Sequence, residues 1–455
     1  MSMTYRDALA YLYSLTNYEI KSTFAYAPQF FDLRRVERLL EAVDNPQQKF
    51  RSIHIAGTKG KGSTSCMLAS ILQAAGYRVG LYTSPHLHSF RERIQVNGTL
   101  IAEDELAAIA ERLRPIAIED PELTTFEVAT ALAFAHFAAS GVEIAVVEVG
   151  LGGRLDATNV IQPLVSVITT IGHDHMHILG HTLAEIAGEK AGIIKEGVPV
   201  VTAPQQPDAL RVIRQAAKSR KSILHETSQE WSWRGVSTTL DHQEFTASRR
   251  HGRIVTAPDT VLRRLAIPLL GKHQQRNAAV VLTTVDALRS AGLHVDNDAV
   301  RAGLAQVSWP ARFEVMSTAP AFVIDGAHNV DSARSLDDTL RLCFPNIKPW
   351  YVLAILQDKD IPAILHELLP RAAGAYFARS NHPRAAEPES LQAQARRYGM
   401  PTRVIPSVEQ ATAQALLKAD PADLVVAAGS FSTAAEAREY WLRTNGRPLP
   451  PTDPL

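Results

Sequence analysis

The sequence predicts an α/β protein built from two mainly parallel sheets, each covered by helices, with a small antiparallel sheet attached to the first. Three observations carry this. Short runs rich in Val and Ile alternate with helical patterns almost from end to end, as expected for βα units. The alternation is interrupted at about 226–264, where Trp231, Trp233, Phe245 and Ile254 alternate with polar residues, the period of a half-buried antiparallel strand. It breaks again at Ser308, Trp309 and Pro310, after which a new strand series begins.

The first series places strands at 53–56, 79–82, 144–149, 165–171 and 198–202, and the second at 322–325, 351–356, 375–378, 403–405 and 424–428. Arg249, Arg250, His251 and Gly252 read as the charged tip of a hairpin in the antiparallel stretch. The expected organisation is one domain over 1–310 and a smaller one over 311–455.

Lys plus Arg and Asp plus Glu are each 47, so the formal net charge is zero. That argues against a general polyanion-binding surface, and so against nucleic acid as a partner, but leaves room for a local basic pocket around a small anion. With 46% apolar residues large cores are easily built and disorder is excluded as the main theme. Cys66 and Cys343 are too few for a disulfide framework or a Cys-rich zinc module. The opening stretch carries Tyr5, Arg6 and Asp7 and lacks the apolar segment of a secretory signal. With no apolar run of about 18 residues either, a reduced, cytoplasmic chain that keeps off membranes is expected.

In open parallel sheets ligands bind beyond the carboxyl ends of the strands. After the first strand comes GTKGKGST, residues 57–64, followed by a helical pattern. Glycines let backbone amides converge on a phosphate, a helix N-terminus adds a positive dipole end, Lys61 supplies a point charge, and Ser63 or Thr64 a hydroxyl for magnesium. The first domain is therefore expected to be of P-loop type. Gly62 separates Lys61 from Ser63, which departs from the strict pattern. The next strand ends in Thr83, Ser84, Pro85 and His86, where a hydroxyl can reach a metal or cap a turn.

Glu148 lies inside the apolar run IAVVEVG, and a buried carboxylate has to be paired or bound to a metal. Asp156 and Asn159 follow in a loop that can hold substrate or simply form a turn. His173, His175 and His177 stand at i, i+2 and i+4, with Asp174 between the first two and His181 beyond. This raises zinc, although magnesium is the more natural tenant beside a triphosphate loop. Thr182 and Glu185 form a capping box, and Lys190 falls on the apolar stripe of the helix they open. Such a lysine is paired, carries a depressed pKa, is modified, or snorkels along the helix edge. In the second series, Asp325, His328 and Asn329, then QDKD at 357–360, then Gly429 and Ser430 occupy successive strand ends, expected of a Rossmann-like sheet.

Taken in order, GTKGKGST, TSPH with FRERI, TTFE, VEVGLGGRLDATN, HDH with LGHT, EKAGIIK, GKHQQRNA, WPAR and DGAHN resemble the folylpolyglutamate synthase and dihydrofolate synthase family of the Mur ligase superfamily, from about Tyr18 to Ser430. The resemblance implies an ATP-dependent ligase that joins L-glutamate to a folate or dihydropteroate carboxylate through an acyl phosphate. It also implies that both folate activities reside in one monomeric chain. Carried over residue by residue, it assigns Gly57, Thr58, Gly60, Lys61, Gly62, Ser63 and Thr64 to the phosphate loop, and Ser63, Ser84, Glu148 and His175 to Mg2+. Asn277 takes the adenine side, Arg312 a phosphate, and Asp325 and His328 the nucleotide and glutamate side. Catalytic roles fall to Lys61, Lys190 and His328, with a carbamylated Lys190 and a monovalent cation as further cofactors that the family allows.

Three residues depart from the family pattern. Lys59 stands where Asn is usual, His173 where an apolar residue is usual, and Ala311 where Gly is common, the last stiffening an expected hinge at Trp309 to Glu314. Two other functions compete. A Mur-type ligase for cell-wall nucleotides needs about 80–100 residues ahead of its phosphate loop, against 56 here. A non-catalytic nucleotide-binding regulator would have no use for Lys61, Glu148, His175 and Lys190 together.

Overall fold

The computed structural model describes residues 3–17, 31–250 and 261–454, the side chain of His177 excepted. The first sheet contains β1 (Arg51–Ala56), β2 (Val79–Tyr82), β3 (Ile94–Val96), β4 (Thr99–Leu100), β5 (Ile144–Glu148), β6 (Val165–Ile168), β7 (Val200–Thr202) and β8 (Leu224–Glu226), in the order β4-β3-β2-β5-β1-β6-β7-β8. All neighbours from β2 to β8 pair in parallel, while β3 and β4 form an antiparallel edge.

Alternation of side chains across the strands gives this sheet two cores. Ile53, Ile55 and Val146 face the helices Lys61–Ala74, Lys272–Ser290 and Asn297–Gln306. Ala145, Val147 and Tyr82 face Tyr5–Ser14, Leu33–Glu41, Glu103–Glu119 and Thr125–Ala139. The antiparallel edge escaped the strand reading because its strands are so short. Its signal was the Asn97-Gly98 pair, both at positive φ (48° and 75°), as a tight hairpin requires.

The antiparallel sheet expected at 226–264 exists as β9 (Trp231–Thr238), β10 (Gln243–Arg249) and β11 (Val261–Ile267), ordered β11-β10-β9. It buries Trp231, Phe245, Leu265 and Ile267 in the first core. Arg249 is not an exposed tip residue. It ends β10, stacks 5.2 Å over the Trp231 ring and pairs with buried Asp286, because its guanidinium finds both an aromatic face and a carboxylate there. His251, Gly252 and Ile254 lie outside the described residues.

The second sheet contains β12 (Glu314–Thr318), β13 (Ala321–Ile324), β14 (Pro349–Leu353), β15 (Gly374–Arg379), β16 (Thr402–Ser407) and β17 (Leu424–Ala428), in the order β12-β13-β17-β14-β15-β16. Only β12 runs antiparallel. Val323, Tyr351 and Leu353 bury into one face and Phe322, Ile324 and Val352 into the other. Among the described residues no helix is long and apolar enough to cross a membrane.

Between the two sheets the chain passes through Ala311 and Phe313, both at positive φ (55° and 48°). The Ala311 amide donates to Glu314 Oε2 (2.9 Å), its carbonyl accepts from the Gly326 amide (2.9 Å), and Glu314 in turn accepts from Arg438 Nε at 3.0 Å. A left-handed alanine costs about 1–2 kcal/mol, partly offset against glycine's larger loss of chain entropy. Ala311→Gly is therefore expected to leave stability unchanged or raise it by up to about 1 kcal/mol, whereas Ala311→Val should destabilise by about 1–3 kcal/mol at this buried position. Urea midpoints of the two variants check this; a destabilising Gly would show the conformation to be wrong.

Candidate active site

Beyond β1 the chain turns through Gly57 and Gly60, at φ +153° and +87°. A Cβ on Gly57 would lie 1.8 Å from Thr169 Oγ1, and one on Gly60 2.5 Å from Asn277 Oδ1, so both glycines are demanded by close approach as well as by conformation. The amides of Thr58 and Lys59 donate to the Thr170 carbonyl, each at 3.0 Å. β6 ends at Ile168, earlier than its apolar run suggested. Gly62, the interruption of the strict motif, has the Trp309 ring 3.1 Å from where a Cβ would stand. Helix Lys61–Ala74 begins at once, presenting Lys61 and Ser63 to a cavity of about 1180 Å³. Thr64 does not join them. One helical step beyond Ser63, about 100° further round the helix, its hydroxyl is buried away from the cavity without a hydrogen-bond partner.

Glu148, 3% exposed, ends β5 beside this loop. Lys61 Nζ stands 3.7 Å from its Oε1, while Oε2 has no hydrogen-bond partner. Burial pushes its pKa up, against Lys61, Arg312 and the Ser84 amide. A carboxylate so enclosed and so loosely paired calls for a further cation. Ser63, Ser84 and His175 line the same cavity. The enclosing walls of the cavity lower the His175 pKa to about 4, outweighing Asp174, so the ring that lines it is a neutral imidazole of the kind that binds metals. A carboxylate, two hydroxyls and one imidazole suit a hard cation better than zinc. Among the described residues no three His, Cys, Asp or Glu side chains gather to hold a metal.

Lys190 is 4% exposed. Its Nζ donates to the Gly57 carbonyl at 3.1 Å, so it does not snorkel. Burial, helped by Lys61 and Lys59, lowers its pKa to about 7. Lys59, the unusual cation of the loop, is paired with Asp174 Oδ2 (2.8 Å), which also accepts from Asn329 Nδ2 (2.9 Å). Burial opposes ionisation of Asp174, yet Lys59 and the other nearby cations hold its carboxyl well below the usual range.

Asp156 lines the cavity, but both of its carboxylate oxygens are engaged within its own loop. Oδ1 accepts from the Thr158 amide (3.0 Å) and hydroxyl, and Oδ2 from the Leu151 amide (2.9 Å). It therefore shapes the loop, and Asn159 likewise bonds the carbonyls of Arg154 (3.0 Å) and Gly192 (3.2 Å).

The second sheet closes the cavity with Arg312, Asp325 and His328. Asp325 accepts from the Phe313 amide (2.7 Å) and the Ala327 amide (2.8 Å), and burial raises its pKa to about 6 despite Arg312. His328 is kept neutral by burial, its pKa lowered to about 3. With Nδ1 donating to the Gly326 carbonyl at 2.9 Å, Nε2 is left as an acceptor.

Sequence reasoning missed two participants. Phe431 lies 4.5 Å beneath the Arg312 guanidinium and 5.3 Å from the His328 ring; its only signal was its place after Gly429 and Ser430. Gln274 donates to Ser63 Oγ (3.3 Å) and accepts from Asn277 Nδ2 (3.0 Å), linking these two cavity-lining residues. Its signal was its place inside the GKHQQRNA motif, three residues before Asn277.

Residues 55–285 match the Mur ligase middle domain and residues 311–431 the Mur ligase glutamate ligase domain. A dihydrofolate synthase/folylpolyglutamate synthase of Bacillus subtilis is 37% identical over 401 residues, covering 86% of this chain and 89% of the relative. One from Mycobacterium tuberculosis is 40% identical over 395 residues, covering 82% and 79%. Among solved structures, the M. tuberculosis folylpolyglutamate synthase complexed with ADP matches with a TM-score of 0.84 at 34% identity, covering 96% of this chain and 99% of that one. Escherichia coli FolC in complex with DHPP and ADP gives 0.83 at 32% identity, covering 97% and 98%.

A lysine whose pKa falls from 10.5 to about 7 on folding binds fewer protons folded than unfolded between those values, so stability rises with pH across that window. Lys190→Met should therefore be more stable than the parent in CO2-free buffer. Its advantage should shrink as pH rises from 7 to 10.5 and be constant below 7. Urea midpoints at three pH values test this; a pH-independent gap would contradict the assignment.

Proposed function

The chain belongs to the dihydrofolate synthase/folylpolyglutamate synthase branch of the Mur ligases, which are ATP-dependent acid–amino-acid ligases, and from that membership we propose how its residues divide the work. The observation that carries the reading is the shared cavity, where Lys61, Ser84, Glu148 and Lys190 from the first sheet face Arg312, Asp325 and His328 from the second.

A free carboxylate resists attack by an amine. Transfer of the γ-phosphoryl group of ATP to the substrate carboxylate gives an acyl phosphate and ADP; the glutamate amine then attacks the acyl carbon, phosphate leaves, and an amide forms. In this scheme the amide groups around Gly57 to Ser63 and the Lys61 ammonium hold the phosphates, and Arg312, fixed on Phe431, meets them from the opposite side. Asn277 lies on the adenine side. His328, neutral with Nε2 free to accept a hydrogen bond, would meet the glutamate side. Ser63, Ser84, Glu148 and His175 would hold Mg2+, which when bound neutralises charge building on the phosphates.

Lys190 has an amine that is partly neutral near pH 7. Its Nζ is thus able to attack CO2, forming an N–C bond and losing a proton to give a carbamate anion. That exchanges a cation beside Lys61 for an anion, relieving the crowding that lowers its pKa. Both dihydropteroate and reduced folates are proposed as acids, in a cytoplasmic monomer with working units 1–310 and 311–455.

The decisive assay is glutamate-dependent ADP release with dihydropteroate and tetrahydrofolate offered separately. Activity with both is expected; activity with neither would overturn the reading, and activity with one alone would remove the bifunctional part. Lys190→Ala should lose about 10²–10³-fold in kcat and recover part of it with added formate or acetate. Parent-like activity in this variant would exclude the carbamate.

A further inference from the structure

The loop running from Ser84 to Arg93 contributes Ser84, Pro85, His86, Leu87 and Arg93 to the cavity. Its backbone donors can be followed one by one. Glu92 Oε2 accepts from the Leu87 amide (2.7 Å), and Oε1 from the amides of His88 (2.9 Å) and Ser89 (3.1 Å). The Arg91 amide donates to Ser89 Oγ (3.3 Å), and the Glu92 amide to the Ser89 carbonyl (2.9 Å). The Phe90 amide is answered from far away in the sequence: it donates to Asp453 Oδ2 at 2.9 Å. Asp453 Oδ1 also accepts from Ser89 Oγ (2.8 Å) and Tyr5 Oη (2.7 Å).

Phe90 is fully buried, so its amide depends on this one carboxylate. The segment bearing Asp453 leaves the helix Phe431–Thr444, whose first residue supports Arg312 and His328. The same helix holds the loop at a second point, where His88 Nδ1 lies 2.8 Å from Glu439 Oε1. Arg93, at the far end of the loop, donates from Nε to His86 Nδ1 at 2.9 Å.

We propose that Asp453 is a positioning residue for the ligation reaction, a strap from the second α/β unit that fixes the Ser84–Arg93 wall of the cavity against the first. The strap satisfies the Phe90 amide, and thereby sets the turn that presents Ser84 at one end and Arg93 at the other. The kinetic consequence rests on the ligase reading above, with the wall serving the acid substrate; the structural consequence does not.

The test compares Asp453→Ala, Asp453→Asn and the parent in the full chain. In Asp453→Ala the Phe90 amide should exchange its hydrogen about 10–100-fold faster, while amides of the helix Lys61–Ala74 keep parent rates. The KM for dihydropteroate or tetrahydrofolate should rise by about threefold or more. Asp453→Asn, which retains one acceptor oxygen, should fall between the two. Unchanged Phe90 exchange in Asp453→Ala overturns the strap whatever the activity. Fast exchange with an unchanged acid KM leaves a structural tie but overturns the positioning role. A parent inactive with both acids counts against the ligase reading, while the exchange measurement still decides the strap.

Discussion

A carboxylate at the end of a buried strand sets the terms for everything around it. Glu148 is enclosed at the end of β5, one of its oxygens has no donor, and the nearest ammonium is 3.7 Å off. Left alone, such a group would protonate or unfold its surroundings. The neighbouring chain is organised around that charge: Lys61 opens the phosphate-loop helix toward it, the Ser84 amide faces it, and Arg312 approaches from the second sheet. These contacts leave Oε2 without a donor. A site that keeps its anion incompletely paired is poised to accept a cation, and the hydroxyls of Ser63 and Ser84 are where a hard ion would look for oxygen.

The strands and the glycine loop were legible because local pattern determines them. β2 and β17 fall on the predicted ranges, and the helix after Gly60 follows from the loop chemistry. The β3–β4 edge was not, since three- and two-residue strands carry no period. At the site, the inward face of Lys190 followed from helical spacing, but its tie to the Gly57 carbonyl did not. Pairings that join distant segments are set by packing. Asp174 between Lys59 and Asn329, Gln274 between Ser63 and Asn277, and Phe431 under Arg312 are all of this kind. At Thr64 the motif position and the cavity part company, since its hydroxyl is buried one helical step round from Ser63.

Lys59 adds a cation to a loop already carrying Lys61, and in isolation that would weaken the loop by repulsion. Asp174 removes the difficulty, and by accepting from Asn329 as well it carries the compensation across to the second sheet. Charge balance and contact between the two α/β units are thus met by one carboxylate. The balance is local, and the chain's zero net charge gives no hint of it.

Trp309 lies on Gly62 in the phosphate loop and immediately precedes the linker proline. The other tryptophans stand elsewhere, Trp231 and Trp233 in β9, Trp350 in β14 and Trp441 in the helix after β17. The indole that touches the loop is thus attached to the segment that would swing if the units moved. One of the chain's five tryptophans therefore sits where filling the Gly57–Ser63 loop and bending the linker would both change the surroundings of the same ring.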